Sequence, residues 1–150
     1  MIALAVARGD DQSAIKALAD RHRKDIGFVL APAIRASISE GALWVAKDGP
    51  EVVGFVRFHH RLDGVTKLYE VCVLENARGR GVGRLLIGAI REQALLAGQH
   101  AIVLKCPEDL PANEFYRQLG FEDAGLEQGK RRRLRIWRLR IAGGVEQEKP

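Results

Sequence analysis

The stretch Arg78-Gly79-Arg80-Gly81-Val82-Gly83-Arg84 places three glycines at alternate positions between an apolar run and an amphipathic one. Alternate glycines cost chain entropy, and they let the backbone bend tightly and come close to a ligand. Upstream, Thr66–Leu74 reads as a strand. Downstream, Val82, Leu85, Leu86, Ala89 and Ile90 follow helical spacing in a helix from about Val82 to Ala97, closed by Gly98. In a strand–glycine turn–helix unit, the free N–H groups of the first helical turn point into one space, and the helix dipole adds positive potential there. Each backbone N–H bonded to an anionic oxygen contributes on the order of 1.5–3 kcal/mol. The turn therefore reads as a pyrophosphate cradle.

The rest of the chain surrounds this unit with short elements. Ile2–Ala7 reads as a strand. Asp10 or Asp11 is expected to cap a helix that carries Ile15, Leu18, Ala19, His22 and Ile26 on one face and ends at Gly27. A second helix starts near Pro32 and stops at Gly41. Leu43–Lys47, Glu51–Arg61 and Thr66–Leu74, joined by the turn signals Asp48-Gly49-Pro50 and Asp63-Gly64, read as an antiparallel meander. The apolar run Ala101–Cys106 suits a buried strand parallel to Thr66–Leu74 across the helix. Pro111–Leu119 forms a short helix, followed by the strands Phe121–Leu126 and Arg133–Ile141. In the last strand the apolar parity flips between Ile136 and Trp137, which predicts a β-bulge there. The fold class is mixed α/β, with six to seven strands, one parallel pair and about four helices. Residues 1–142 form one domain, and 143–150 a polar, disordered tail.

Composition narrows the class further. A chain of 150 residues can bury roughly 68–70% of its unfolded surface. No apolar run reaches the roughly 18 residues of a membrane span, and Ile2–Ala7 is too short for a signal-peptide core. Two cysteines, Cys72 and Cys106, exclude a disulfide scaffold and a four-cysteine zinc site, and point to a reducing cytoplasm. No His, Cys, Asp and Glu set has metal-ligand spacing, so no metal is expected. The net charge of +5 is local: Lys130 to Arg140 holds seven basic residues and no acid, leaving 17 basic against 19 acidic residues elsewhere. That strand suits a solvated edge that resists aggregation, attraction of an acidic acceptor or of cofactor phosphates, or nucleic-acid binding. The last is disfavoured because Trp137 is the only aromatic among the basic residues.

The glycine turn can be typed by elimination. A Walker A loop ends in Gly-Lys-Ser/Thr, which is missing, and a dinucleotide fingerprint from Gly79 or Gly81 fails at Arg84 or Leu86. The pattern Arg/Gln-x-x-Gly-x-Gly/Ala is met by Arg78, Gly81 and Gly83. The stretch VCVLENARGRGVGRLL resembles the acyl-CoA-binding motif of the GNAT superfamily of N-acyltransferases. Thirty residues beyond Gly83, Asn113-Glu114-Phe115-Tyr116-Arg117-Gln118-Leu119-Gly120-Phe121 resembles the family's second motif, A/N-x-x-F-Y-x-x-x-G-F. The order of elements also fits, so the resemblance covers most of the chain. One departure is the loop Glu75-Asn76-Ala77, where the family commonly has a proline.

The resemblance implies acetyl-CoA as acyl donor and a primary amine as acceptor, either a small molecule or a peptide Lys or N-terminus, with direct attack in a ternary complex. It implies that the backbone of Val71, Cys72 and Val73 pairs with the pantetheine arm where the two parallel strands splay apart. It gives the pyrophosphate to the amides around Gly79, Arg80, Gly81, Val82, Gly83 and Arg84, and counts the motif's Arg78 among the cofactor-binding residues. Asn113 would contact the pantetheine arm, and Tyr116 would sit near the thioester sulfur. Homodimers, common in the family, are implied only in this way. An ammonium of reference pKa about 10.4 must lose a proton, at a cost of roughly 4 kcal/mol near neutral pH, and a thiol of pKa about 8.5 must leave. Tyr116 is the candidate acid and Glu70 the candidate base, with His59 and His60 as rivals on opposite strand faces.

Plainer readings stand beside these. Tyr116 also suits the packing of a short helix, Glu70 a salt-bridged strand position, and His59 and His60 surface or packing roles. His22 reads as a satisfied core histidine, His100 as a surface residue, and Cys72 and Cys106 as small core residues. A nucleic-acid-binding module on the Arg-rich strand and a catalytically silent acyl-CoA sensor are the readings of another class.

Overall fold

The computed structural model describes residues 1–141; the tail expected over 143–150 lies outside them. The strands are β1 (Ile2–Val6), β2 (Leu43–Asp48), β3 (Glu51–His60), β4 (Val65–Val73), β5 (Ala101–Pro107), β6 (Glu122–Gln128) and β7 (Arg133–Arg140). The helices are α1 (Gln12–Arg21), α2 (Arg23–Ile26), α3 (Ala31–Ser39), α4 (Val82–Leu96) and α5 (Ala112–Gln118). The sheet order is β1-β2-β3-β4-β5-β7-β6, with β4 and β5 parallel. This is the mixed α/β architecture expected, with seven strands. The described residues form two compact units: Met1–His59 with Tyr69–Ile90, and His60–Leu68 with 91–141. Among the described residues no helix is long and apolar enough to cross a membrane.

In the first unit β1 pairs antiparallel with β2, and β2 with β3. The β2–β3 register slips between Ala46 and Lys47: Ala46 faces Gly54 while Lys47 faces Val52, so Val53 is the extra residue of a bulge. Gly54 follows it for a steric reason. A Cβ there would lie 3.0 Å from Val82 Cγ1, 3.1 Å from the Cys72 carbonyl oxygen and 3.1 Å from Leu86 Cδ1. The missing side chain is what lets the first turns of α4 sit against β3. The buried face of α4 is Val82, Leu86, Ile87, Ile90 and Ala94; Leu85, expected on it, is 44% exposed. Ile15, Ile34, Leu43, Val45 and Phe55 complete this core, each worth roughly 1.5–3 kcal/mol of buried apolar surface.

Two expectations about the N-terminal helix are corrected. The helix is not continuous to Ile26; it breaks at His22 (φ −112°, ψ 24°) into α1 and α2, which gives five helices where about four were expected. Asp11 does not cap it. The carboxyl instead accepts from the Arg8 backbone N–H at 2.8 Å and meets Lys47 Nζ at 2.9 Å. Burial alone would raise the Asp11 pKa, but that N–H bond and Lys47 outweigh it and hold the carboxyl below its usual value.

In the second unit β4 and β5 register Val65–Lys67 against Ala101–Val103, the first three residues of each strand. β7 pairs with β5 without interruption from Ala101↔Arg140 to Pro107↔Leu134. The bulge expected in β7 is therefore absent from it. The irregularity lies in β6, where Asp123 faces Trp137 and Leu126 faces Arg135, with Gly125 at φ +110°. A regular β7 sends Trp137, Leu139 and Ile141 to one buried face and leaves Leu134 and Ile136 half-exposed on the other. The parity flip reflects a change of face and not an extra residue. β6 is exposed along its whole length, and three β7 or flanking arginines of the basic segment are ion-paired: Arg132 with Asp109, Arg133 with Glu108 and Arg135 with Asp123.

Candidate cofactor and active site

The glycine turn lies wholly within the first unit. After β4, Glu75–Ala77 forms a 3₁₀ turn whose Ala77 is buried and whose N–H donates to Leu74 O at 2.9 Å. Glu75 Oε1 accepts from Arg21 Nε at 2.7 Å. The loop without the customary proline is thus held by a helical turn and an ion pair. Arg78 is extended (φ −71°, ψ 154°), then Gly79 and Gly81 adopt φ +83° and +79°. A side chain costs about 1–2 kcal/mol in that region, so glycine is the residue that permits the turn. A Cβ on either would meet nothing within 4 Å. Among the described residues nothing fills the space where those two Cβ atoms would lie, as a cradle for a ligand requires.

The first helical bond of α4 here runs from Leu85 N–H to Gly81 O at 3.0 Å. The N–H groups of Val82, Gly83 and Arg84 precede it and have no helical acceptor. With the α4 dipole behind them, they suit an anion, and the residues present fit a pyrophosphate. Val82 anchors the turn at 2% exposure while Gly79, Arg80, Gly81 and Arg84 face solvent. Arg80 reaches Asp48 Oδ2 at 3.0 Å. Arg78 folds back over the end of β4, its Nε donating to Val73 O at 3.2 Å.

Val71 and Val73 are half-buried and Cys72 between them is buried, as strand alternation requires. Burial pushes the Cys72 thiol up to about 12 and the Cys106 thiol up to about 11. Neither thiol is a nucleophile at neutral pH. Both are free, buried core residues, as read from the sequence.

Glu70 forms a two-pronged ion pair with Arg57 on β3: Nε to Oε1 and Nη2 to Oε2, each 2.8 Å, with side chains 11% and 14% exposed. The same guanidinium lies 4.4 Å over the Tyr69 ring and points Nη1 at Ser37 Oγ, 3.4 Å away. Sequence reasoning missed Arg57. A lone charge inside the apolar run 52–58, beside a strand carrying Glu70, was the available signal. His59 is exposed, 3.9 Å from Glu40. His60 lies on the opposite strand face, Nδ1 2.7 Å from Thr66 Oγ1. His22 is buried, as expected, but its partner is Arg78, at 3.3 Å from Nδ1.

The second motif lies in the second unit. Asn113 is a clamp: Nδ2 donates to Pro107 O (2.9 Å) and Leu110 O (2.8 Å), and Oδ1 accepts from Trp137 Nε1–H (2.8 Å). Tyr116 is buried in edge-to-face contact with Phe115 (5.3 Å) and Phe121 (5.6 Å). The motif's aromatic residues thus pack one another, which rigidifies α5.

Residues 12–121 match the profile of the Acetyltransferase (GNAT) family, more than half of the chain. The chain belongs to the GNAT acetyltransferase family. This GNAT enzyme is similar in fold to the ribosomal-protein-S18-alanine N-acetyltransferase of Escherichia coli: TM-score 0.82, 18% identity, 97% of each chain covered. It is likewise similar to yncA of Salmonella typhimurium, solved with its cofactor acetyl-CoA: TM-score 0.79, 20% identity, 94% of each chain. A third similar structure is Arabidopsis thaliana NAA60 in complex with a bisubstrate analogue: TM-score 0.83, 16% identity, 95% of this chain and 99% of that one. Comparison with curated proteins found no match.

Proposed function

We propose that this enzyme moves an acetyl group from acetyl-CoA to a primary amine by direct attack in a ternary complex. The observation that carries the reading is the pair of positive-φ glycines opening onto the first amides of α4, with no atom of the described residues, the adjoining ones aside, within 4 Å of either ideal Cβ position. Residues 1–142 are taken as one catalytic domain, since the family match, 12–121, draws on both units.

In this reading the amides from Gly79 to Arg84 hold the pyrophosphate and the backbone of Val71–Val73 holds the pantetheine arm. Asn113 contacts that arm through the acceptor direction of Oδ1 that Trp137 does not occupy. Acetyl-CoA supplies an acyl carbon activated as a thioester. The amine nitrogen forms the new C–N bond as the C–S bond breaks. The ammonium proton passes to Glu70 directly or through water. Each Glu70 oxygen accepts one bond from Arg57 and retains a further lone-pair direction. Tyr116 protonates the departing thiolate and takes back, through water, the second proton that the nitrogen loses on becoming an amide. The acceptor is a small-molecule amine, a peptide lysine or an N-terminus. The two free thiols suit a reducing cytoplasm.

The test is release of free thiol from acetyl-CoA in the presence of polyamines, amino acids, aminoglycosides or lysine peptides. At least one class should release thiol above the hydrolysis rate, and acetyl-CoA should raise the melting temperature where ATP and NAD do not. Stabilisation without thiol release would favour a silent acyl-CoA sensor; neither effect would remove the cofactor.

A further inference from the structure

Arg78 opens the glycine turn, yet its side chain does not extend into the space above it. Nε–H is bound to Val73 O at 3.2 Å, and Nη2 points at His22 Nδ1 at 3.3 Å, with Asp25 Oδ2 3.9 Å from the same nitrogen. His22 is placed for this by the break between α1 and α2, which turns its ring inward at 8% exposure. A guanidinium carries donors only, so Nδ1 accepts and the ring proton of the neutral imidazole sits on Nε2. Among the described residues Nε2 has no hydrogen-bond partner. The nearest acid, Glu75 Oε1, is 3.8 Å away, beyond hydrogen-bond reach, and is engaged by Arg21.

We propose that His22 is a positioning residue for the pyrophosphate loop: its neutral ring accepts from Arg78, ties the loop to the α1–α2 corner, and so fixes the turn that aims the first amides of α4. The inference rests on the cofactor reading above. It also gives the loop a pH response. The groups facing His22 are Arg78 and Glu75 from the loop, Arg21 from the end of α1 and Asp25 from α2. Burial, then the Arg78 charge, depress its pKa, while Glu75 and Asp25 pull the other way; the net shift is downward, so the ring is neutral at pH 7.5. Protonation at lower pH puts a donor and a positive charge on Nδ1, against a cation that can only donate, and the tie is lost.

The test is CoA binding by calorimetry on the full chain at pH 7.5 and 5.5, with folding checked by circular dichroism. His22→Leu should weaken CoA binding at pH 7.5 about three- to tenfold, the range that one hydrogen bond supports. The same change on an Arg78→Leu background should add nothing, since His22 acts through Arg78. His22→Asn puts an oxygen where Nδ1 lies and does not titrate. It should bind within about twofold of wild type at pH 7.5 and weaken less than wild type at pH 5.5. Wild-type affinity in His22→Leu, full additivity with Arg78→Leu, or an Asn variant as weak as the Leu one would overturn the inference while leaving the cofactor reading intact. Should His22→Leu fail to fold, the pH comparison of Asn with wild type decides. A wild-type chain that binds no CoA ends the cofactor reading, and this inference with it.

Discussion

Gly81→Ala and Gly88→Ala add the same methyl group seven residues apart, and the geometry gives them opposite signs. At both positions the new Cβ meets nothing within 4 Å, so sterics with neighbours cancel from the comparison. What differs is the backbone. Gly81 sits at φ +79°, where an L-residue costs about 1–2 kcal/mol; Gly88 is exposed inside α4, where alanine gains about 0.5–1 kcal/mol over glycine. In a chain of this size 1 kcal/mol moves the melting temperature by roughly 2–4 °C. Scanning calorimetry without ligand should therefore place Gly81→Ala about 2–8 °C below wild type and Gly88→Ala about 1–4 °C above it. The loop can relieve its strain only by rotating a peptide, which withdraws an amide from the cradle. One charge-assisted bond of roughly 1.5–3 kcal/mol is then lost, and CoA binding should weaken about ten- to a hundredfold in Gly81→Ala and stay unchanged in Gly88→Ala. A Gly81→Ala protein as stable as Gly88→Ala, binding CoA with wild-type affinity, would refute both the strain argument and the assignment of the amides.

Other consequences can be measured separately. Asn113→Ala leaves the Trp137 N–H and the Pro107 and Leu110 carbonyls without their partner, and urea unfolding should show a loss of about 2–4 kcal/mol; a loss below about 1 would mean that the clamp is not structural. Tyr116→Phe keeps both ring contacts and removes only the hydroxyl, and kcat should fall about a hundredfold with little change in CoA affinity; an unchanged kcat removes Tyr116 as the acid. Cys72 and Cys106, with thiols pushed up to about 12 and about 11, should resist a disulfide reagent at pH 7.5 until the chain is unfolded, and rapid labelling of either in the native protein would contradict their burial. Asp11 has a depressed folded-state pKa, so its contribution is present above about pH 4 and is lost as pH falls through the lowered value. Asp11→Asn should cost about 1 kcal/mol at pH 7 and progressively less below pH 4, and a pH-independent cost would show that its charge plays no part.

The sequence by itself determined the features whose causes lie within a few residues. The glycine turn from Arg78 to Arg84 was legible because a left-handed backbone needs glycine where it occurs, and the flanking periodicities say strand before and helix after. The strand–helix order was legible for the same reason, as was the burial of Cys72 on an alternating strand. Only the tertiary structure decided which distant groups meet. Arg57 takes both oxygens of Glu70 thirteen residues away, Asn113 takes the Trp137 indole 24 residues away, and Arg78 finds His22 across 56 residues. The break at His22 and the bulge in β6 also waited on it, because each depends on how a segment meets a partner and not on its own periodicity. Local sequence sets backbone preference and the apolar face of an element. Register and hydrogen-bond partners are set by the whole chain minimising unpaired buried polar groups at once, and no window of neighbouring residues contains that information.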